Sequence, residues 1–415
     1  MSTPAPIAII GGGPGGLTLA RFLELAGTDY VVFERDASPD ANQQGGTLDL
    51  HAGSGLTALD ATGLRDEFEN FARHEAAVFT VQDWRGGNRY RADPGEGDND
   101  RPEIDRARLR KLLLDSIPAT RVRWGKALKA VERDESSSDI EGAKGWVLRF
   151  ADGSSESGFR LVVGADGAFS AVRPLITPAK PQYSGKTYFE GRLTPGTPQH
   201  TAALEMVGPG NSAAMGAGRV LVVQQMGDRS YRMYAGVEEP DTSLTRAGGV
   251  LDFATDIERS RAALLDLYYA DWAPHLRAYI QNAEGPWRVW PLYTLDAAAF
   301  APDAPWTRAP GVTLLGDAAH VALPNGEGVN AAMLDALKLS EALAAELSGG
   351  AKNGDDDDDA AAVERAIVAY ETEMRVRARE HVEDGVMMND TMYKADGAER
   401  MIAFFKKFAE SAQQS

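Results

Sequence analysis

The chain has 415 residues, enough for one large core or two domains. Its 61 acidic residues outnumber 43 basic ones and give a formal net charge of −18, which repels nucleic acid and anionic membranes and argues against either as a partner. Cysteine is absent, which excludes disulfides, thiolate metal sites and a cysteine nucleophile.

The first six residues carry no basic segment, and the apolar run behind them is broken at once by glycines, so no signal peptide is expected. No apolar stretch approaches the ~20 residues needed to span a bilayer. A cytoplasmic monomer is the expectation.

Residues 7–10 read as a buried strand, 15–26 as a helix and 30–33 as a second buried strand. Gly11, Gly13 and Gly16 stand between the first strand and the helix in G-x-G-x-x-G spacing, with Gly15 among them. Gly11 permits the tight turn, Gly13 lets the backbone approach a pyrophosphate, and Gly16 lets the helix pack on the sheet. The N–H groups at the helix start suit phosphates. Glu34 ends the second strand, where its carboxylate can accept hydrogen bonds from a ribose diol, and Arg35 is grouped with it as cofactor-binding.

Residues 45–51 turn into a short extended segment, and 55–71 are expected to be largely helical. A hairpin is expected across Gly86-Gly87, followed by an exposed loop over 93–100. The helix at 106–117 places Leu109, Leu112, Leu113 and Ile117 on one apolar face. Residues 122–150 suggest a meander with a polar turn at 136–138. Another buried strand, 161–163, ends in Gly164-Ala165-Asp166-Gly167. From about 180 to 290 the pattern becomes that of a separate sheet-based domain. Residues 312–315 then restore a buried strand leading into Gly316-Asp317. Long helices close the chain, with Val363, Ile367, Tyr370 and Met374 on one face. The acidic block at 355–359 reads either as a metal site or as a solvated loop. The loop is favoured, because adjacent like charges repel and extend.

Three motifs therefore follow apolar strands: the glycine turn, the run from Gly164 to Arg173, and Gly316-Asp317-Ala318-Ala319-His320 with Pro324, Gly326, Gly328, Val329 and Asn330 behind it. Ligands of doubly wound sheets bind at such strand ends. The combination resembles the group A flavoprotein monooxygenases, aromatic hydroxylases with a single nucleotide-binding domain of the p-hydroxybenzoate hydroxylase type. Within that group, residues 45–55, Glu103-Ile104-Asp105-Arg106 and the Gly316 to His320 run are most similar to the tetracycline-inactivating enzymes.

The resemblance implies an α/β fold in which a β-sheet substrate domain is inserted into a Rossmann-like FAD-binding domain, with a long C-terminal helix. It divides the chain into 1–75, 100–178 and 290–345 for FAD, 76–99 and 179–289 for substrate, an acidic loop at 346–360 and a helical segment at 361–415. FAD is the implied cofactor and NADPH or NADH the transient reductant. O2 would hydroxylate an electron-rich aromatic or enolic, polyketide-like small molecule through a flavin C4a-hydroperoxide. By resemblance Glu34 holds the adenosine ribose, Asp49 and Arg106 contact FAD, and Asp317 binds the ribityl chain. Asp166 lies in the stretch that meets both FAD and the nicotinamide cofactor.

The residues allow further readings. Arg106 opens a helix and could equally make a surface ion pair. Asp317, taken as buried at a strand end, would need donors such as ribityl hydroxyls. The 326–330 segment precedes an amphipathic helix carrying Met333, Leu334 and Leu337, and its dipole suits the flavin pyrimidine edge. His320 could be a base, but its place at a helix entry favours a structural hydrogen bond. His51, His74, His200, His275 and His381 lack metal-ligand spacing, and no metal is expected. No catalytic side chain is assigned, because the cofactor carries the chemistry.

Asn42 stands where the tetracycline enzymes carry an arginine, and the 324–326 loop is one residue short of P-x-x-G. Glu190, Ser212 and Tyr234 replace a glutamine, an arginine and a histidine that grip tetracycline, which argues against that substrate. Glu190, Tyr234 and Gly236 are the candidate substrate-facing residues. A flavin-dependent halogenase is one alternative, although Trp287-Arg288-Val289-Trp290-Pro291 only superficially matches W-x-W-x-I-P. A non-catalytic dinucleotide-binding protein is another, and the presence of Asp166 and Asp317 speaks against it.

Overall fold

The computed structural model describes residues 6–41, 45–93, 101–133, 145–350 and 356–412, and element counts refer to these. Asn42, the 136–138 turn and Asp355 lie outside them. The chain opens on β1 (Ile7–Ile10), α1 (Pro14–Leu25) and β2 (Tyr30–Phe33). β1 is buried at every position, as a central parallel strand covered on both faces must be. Pro14 sits in the first turn of α1, where its missing N–H costs nothing.

β3 (Thr47–Asp49) leads to α2 (Gly55–Thr62) and α3 (Arg65–Glu69). The helix expected over 55–71 is thus broken: Gly63 caps α2 in the left-handed region, at φ +70°. β4 (Phe79–Asp83) and β5 (Tyr90–Ala92) pair antiparallel, as the hairpin reading required. β6 (Glu103–Asp105) pairs with β3 and runs straight into α4 (Arg106–Asp115). β7 (Val122–Arg123) precedes a small antiparallel meander of β8 (Leu128–Arg133), β9 (Trp146–Phe150) and β10 (Ser155–Glu156). β11 (Leu161–Gly164) returns to the first sheet, parallel to β1.

The inserted region holds β12 (Gln182–Leu193), α5 (Pro198–Met206), β13 (Asn211–Gly216), β14 (Arg219–Gln225) and β15 (Tyr231–Glu238). α6 (Ile257–Tyr268), α7 (Pro274–Asn282) and β16 (Glu284–Thr294) complete it. Its seven-stranded sheet has the order β16-β12-β15-β14-β13-β4-β5, so the inserted sheet extends five residues past the boundary read at 289. Strand alternation divides its faces. Phe189, Leu193, Leu221, Met233 and Ala235 pack against Leu264, Leu276 and Ile280 of α6 and α7. Val81, Ala213, Met215 and Val220 face the opposite way, toward Met392 and Tyr393.

β17 (Val312–Leu314) closes the parallel sheet β17-β11-β1-β2-β7, and α8 (Asp317–His320) and α9 (Gly328–Gly350) follow. α10 (Asp356–Tyr393) and α11 (Gly397–Ala412) end the chain. Val363, Ile367, Tyr370 and Met374 of α10 are all buried in the main core. The loop expected over 346–360 is helical at both ends: α9 reaches Gly350 and α10 begins at Asp356. Carboxylates at a helix start meet the positive end of its dipole, and Asp359 pairs with Arg160 at 2.8 Å.

The helix and sheet meet most closely at Gly16. A Cβ there would lie 2.2 Å from the Gly11 carbonyl oxygen and 3.2 Å from Ala165 Cβ. Gly16→Ala should therefore destabilise the protein by about 1–3 kcal/mol, as overpacking does. The check is a lower urea midpoint with an unchanged slope; an unchanged midpoint would show that α1 is free to move away.

Candidate functional site

Gly11 makes the turn out of β1 at φ +113°, where a Cβ would stand 2.3 Å from the Ala165 oxygen. Gly13 caps α1 with no side-chain hydrogen bond, and nothing lies within 4 Å of where its Cβ would be. The helix thus offers uncapped N–H groups in open space, which fits a diphosphate. Gly15 lets α1 approach α9: a Cβ there would lie 3.1 Å from Ala332 Cβ. Across the turn, buried Glu34 accepts from Gly12 N at 2.6 Å and Asp36 N at 2.9 Å. Arg35 is exposed beside it. Arg110, which the sequence did not single out, donates to the Gly12 carbonyl at 3.0 Å and pairs with Asp36 at 3.0 Å and Glu34 at 3.6 Å. Its only sequence signal was its place one turn beyond Arg106 on α4.

At the end of β11, Asp166 Oδ2 accepts from Ala171 N at 2.7 Å, while Oδ1 is buried without a partner. Burial pushes this carboxyl up from its ordinary pKa. Arg173 is buried and donates to the carbonyls of Asp317 and Ala318, both at 2.8 Å, which ties the second motif to the third. The Asp317 carboxylate is exposed, which corrects the reading that burial forces partners on it. His320 is buried, and its Nε2 lies 2.6 Å from Asp335. Asp335 also accepts from Gly316 N at 3.0 Å and Arg377 at 3.1 Å. Burial opposes the charge on His320, but Asp335 outweighs it and raises the pKa. His320 is therefore committed to a structural bond.

The third edge joins β3 to the entry of α9. Asn330, fully buried, accepts from His51 N at 2.9 Å and donates to the Asp49 carbonyl at 2.9 Å. The Asp49 carboxylate is bonded to His51 Nε2 at 2.7 Å. A Cβ on Gly326 would meet Asp49 at 3.8 Å, while Gly328 stands in open space. Pro324 is fixed through its carbonyl by Asn389 at 2.9 Å, and Val329 is buried. Arg106 is exposed and makes no ion pair among the described residues, so the surface-pair reading does not hold there. Glu103 is buried between the sheets, accepting from Thr47 and from Asn211 at 2.6 Å. Burial, then the nearby Asp49 charge, pushes it up to about 7.

On the substrate sheet Glu190 and Tyr234 are cross-strand neighbours, as are Glu190 and Arg288. Tyr234 reaches the cofactor side: a Cβ on Gly46 would be 2.8 Å from its hydroxyl. Burial, then Glu190, raises its pKa. Glu190 is 0% exposed and is held by Trp290 at 2.8 Å, Arg232 at 3.3 Å and Arg288 at 3.6 Å. It is an internal charge paired with two arginines. Gly236 makes room for tyrosines, since a Cβ there would lie 2.4 Å from Tyr188 and 2.5 Å from the Tyr393 hydroxyl. Ser212 lies opposite Val223 on the strand face that packs against α7, away from the cofactor side. Trp287 stacks on Phe253 at 4.7 Å within that inner core, so the paired tryptophans serve packing and the Glu190 bond.

The uncapped helix, the open space at Gly13 and the partnerless Asp166 oxygen all stand at the carboxyl ends of parallel strands, and they fit a dinucleotide. Among the described residues no helix is long and apolar enough to cross a membrane. A family model described as an FAD binding domain matches residues 4–190 and 266–376. The chain is 31% identical over 412 residues to the monooxygenase penA of Penicillium thymicola, covering 90% of this chain and 92% of that protein. HpxO of Klebsiella pneumoniae, solved with FAD and uric acid, shares the fold at a TM-score of 0.72 and 23% identity, covering 97% of this chain and 93% of that one. Tetracycline destructase Tet(51) does so at 0.66 and 16%, covering 97% and 96%. The chain belongs to the FAD-binding-domain family and is an FAD-dependent monooxygenase, an oxidoreductase of the aromatic-hydroxylase type.

Proposed function

We propose that the three strand-end motifs hold FAD so that NAD(P)H and O2 hydroxylate an electron-rich aromatic or enolic small molecule in the cytoplasm. The observation that carries this reading is the convergence of the α1 start, Asp166, Asp317 and the 324–330 segment at one edge of the parallel sheet. Residues 1–75, 100–178 and 290–345 would form the cofactor domain, with the inserted sheet covering it. The first-turn N–H groups of α1 hold the diphosphate, and Glu34 takes the adenosine ribose. Arg35, Arg106 and Asp49 border the cofactor, and Asp317 accepts from the ribityl hydroxyls. Gly326, Gly328, Val329 and Asn330 aim the start of α9 at the electron-rich edge of the ring. Bound FAD supplies hydride acceptance and oxygen activation. The inserted sheet orients the substrate beside Tyr234 and excludes water. One nucleotide-binding unit is present among the described residues, so the nicotinamide cofactor visits without a domain of its own. The uric acid of the HpxO complex supports the substrate class.

Asp317→Ala tests the cofactor placement. The side chain is exposed, so its loss should leave folding intact. Each charge-assisted hydrogen bond it gives the cofactor is worth roughly 1.5–3 kcal/mol. Wild-type protein should release all its flavin as FAD on acid precipitation, and the variant should bind FAD at least ~10-fold more weakly. Equal affinity in a folded variant would remove Asp317 from the site.

Tetracycline should be a poor substrate. Glu190 is occupied by Trp290 and two arginines, and Ser212 lies on the other face of the sheet. Unpaired polar groups on a buried ligand cost about 1–3 kcal/mol each. The kcat/KM should fall below ~10⁴ M⁻¹s⁻¹, and a value above this would show that other residues grip the ligand.

A further inference from the structure

Both ring nitrogens of His51 face carboxylate oxygens. Nε2 lies 2.7 Å from Asp49 Oδ2, and Nδ1 lies 3.0 and 3.1 Å from the two oxygens of Glu327. An ionised carboxylate only accepts, so both contacts are hydrogen bonds only if each ring nitrogen carries a proton. The backbone closes the same circuit. His51 N donates to Asn330 Oδ1, and Asn330 Nδ2 donates back to the Asp49 carbonyl, both at 2.9 Å. Asp49, His51 and Asn330 thus form one closed circuit of bonds, Glu327 is held on the other ring nitrogen, and the imidazole is buried.

Among the described residues, His51 is the one cationic group paired with either Asp49 or Glu327. The other titratable groups nearby do not replace it. Glu103 on β6 stands opposite Asp49 in register and adds a further acid. His381 on α10 is near Glu327, but burial and then His320 push it down to about 4, so it is neutral. At the start of α2, the uncharged Ser54 donates from its hydroxyl to the His51 carbonyl at 3.3 Å.

We propose that His51 is a doubly protonated clasp that fastens the 324–328 segment to β3, a positioning residue whose deprotonation releases that segment and weakens FAD binding. The link to FAD rests on the cofactor placement proposed above. Removing one proton leaves two carboxylates sharing a single donor, and they then repel across the ring. Burial works against the charge on His51, but Asp49 and Glu327 outweigh it and hold its pKa up at about 9, above the ordinary 6.5. A group raised in this way stabilises fully below its ordinary value, and its contribution is lost as pH rises through the higher one.

Two measurements decide the proposal. In apoprotein labelled with ¹⁵N-histidine, both His51 ring nitrogens should show protonated shifts through about pH 8, with a midpoint near 9. A neutral ring at pH 7 would overturn the clasp whether or not flavin binds. In titrations of apoprotein with FAD, wild-type affinity should fall at least ~10-fold between about pH 7.5 and 10. His51→Gln should bind FAD at the weaker level throughout and show no such dependence. His51→Arg, which keeps charge and paired donors, should recover most of the affinity and hold it at high pH. A flat wild-type profile, or a glutamine variant that follows the wild-type profile, would contradict the proposal. Should the variants fail to fold by circular dichroism, the wild-type NMR midpoint and affinity profile decide it. Absence of FAD binding at every pH would instead defeat the cofactor placement and leave the NMR result to judge the clasp.

Discussion

One buried carboxylate, Asp335, holds the site's third motif in place. It accepts from Gly316 N, from His320 and from Arg377, and so joins the turn after β17, the end of α8 and helix α10. Burial alone would raise its pKa; the His320 charge, then Arg377, hold it down. Breaking such a buried pair by removing one partner costs roughly 3–5 kcal/mol, because a charge is left stranded. The exposed Asp317 depends on this knot, since Gly316 sets the turn that displays it. The same helix that supplies Asp335 carries Asn330 in its first turn, which reaches β3 and the His51 circuit. A single element therefore carries both the Asp335 anchor and the link to β3.

The second requirement is a rigid joint between the cofactor sheet and the inserted sheet. β6 supplies it. Glu103 takes the Asn211 amide, Asp105 accepts from Gly227 N at 2.9 and 3.1 Å, and Arg73 bridges Asp105 and the Gln225 carbonyl. These bonds hold Gly46 against Gln224 and Tyr234, where a Cβ would clash with both side chains. In the proposed placement, a cofactor at the strand ends and a substrate on the inserted sheet would meet across this joint. Its polar partners come from both sides, so its geometry is set by hydrogen bonds more than by apolar burial. α10 spans the same two bodies: Glu371 binds Trp306, Arg308 and Thr313 near the cofactor sheet, and Tyr393 packs on the substrate sheet.

The parallel framework was legible because its signals are local. The glycine spacing, the buried strands and Glu34 lie within one β-α-β unit; Gly11 and Gly16 stand at close backbone approaches, and Gly13 faces open space among the described residues. Asp166 and Asp317 were legible as strand ends. The partners that complete the site were not, because they come from far along the chain. His51 and Asn330 are separated by 279 positions and Glu103 and Asn211 by 108, and no periodicity marks such pairs. Some placements follow from chain geometry that no single motif displays: alternation along β13 sets Ser212 with Ala214 on the inner face, and a Cβ on Gly236 would meet neighbouring tyrosines. Burial misled at Asp317, where the strand ends one turn before the carboxylate and leaves it exposed. At the acidic block, α10 begins at Asp356 and Asp359 pairs with Arg160.

The proposed insertion of oxygen from O2 into an electron-rich ring or enol can be read by mass spectrometry of products formed with NADPH under ¹⁸O2 across a panel of polycyclic phenols and enolic polyketides. Substrate should stimulate NADPH oxidation, and the product should carry one ¹⁸O atom. NADPH consumption that yields only hydrogen peroxide with every substrate, or a product whose new oxygen comes from water, would contradict it.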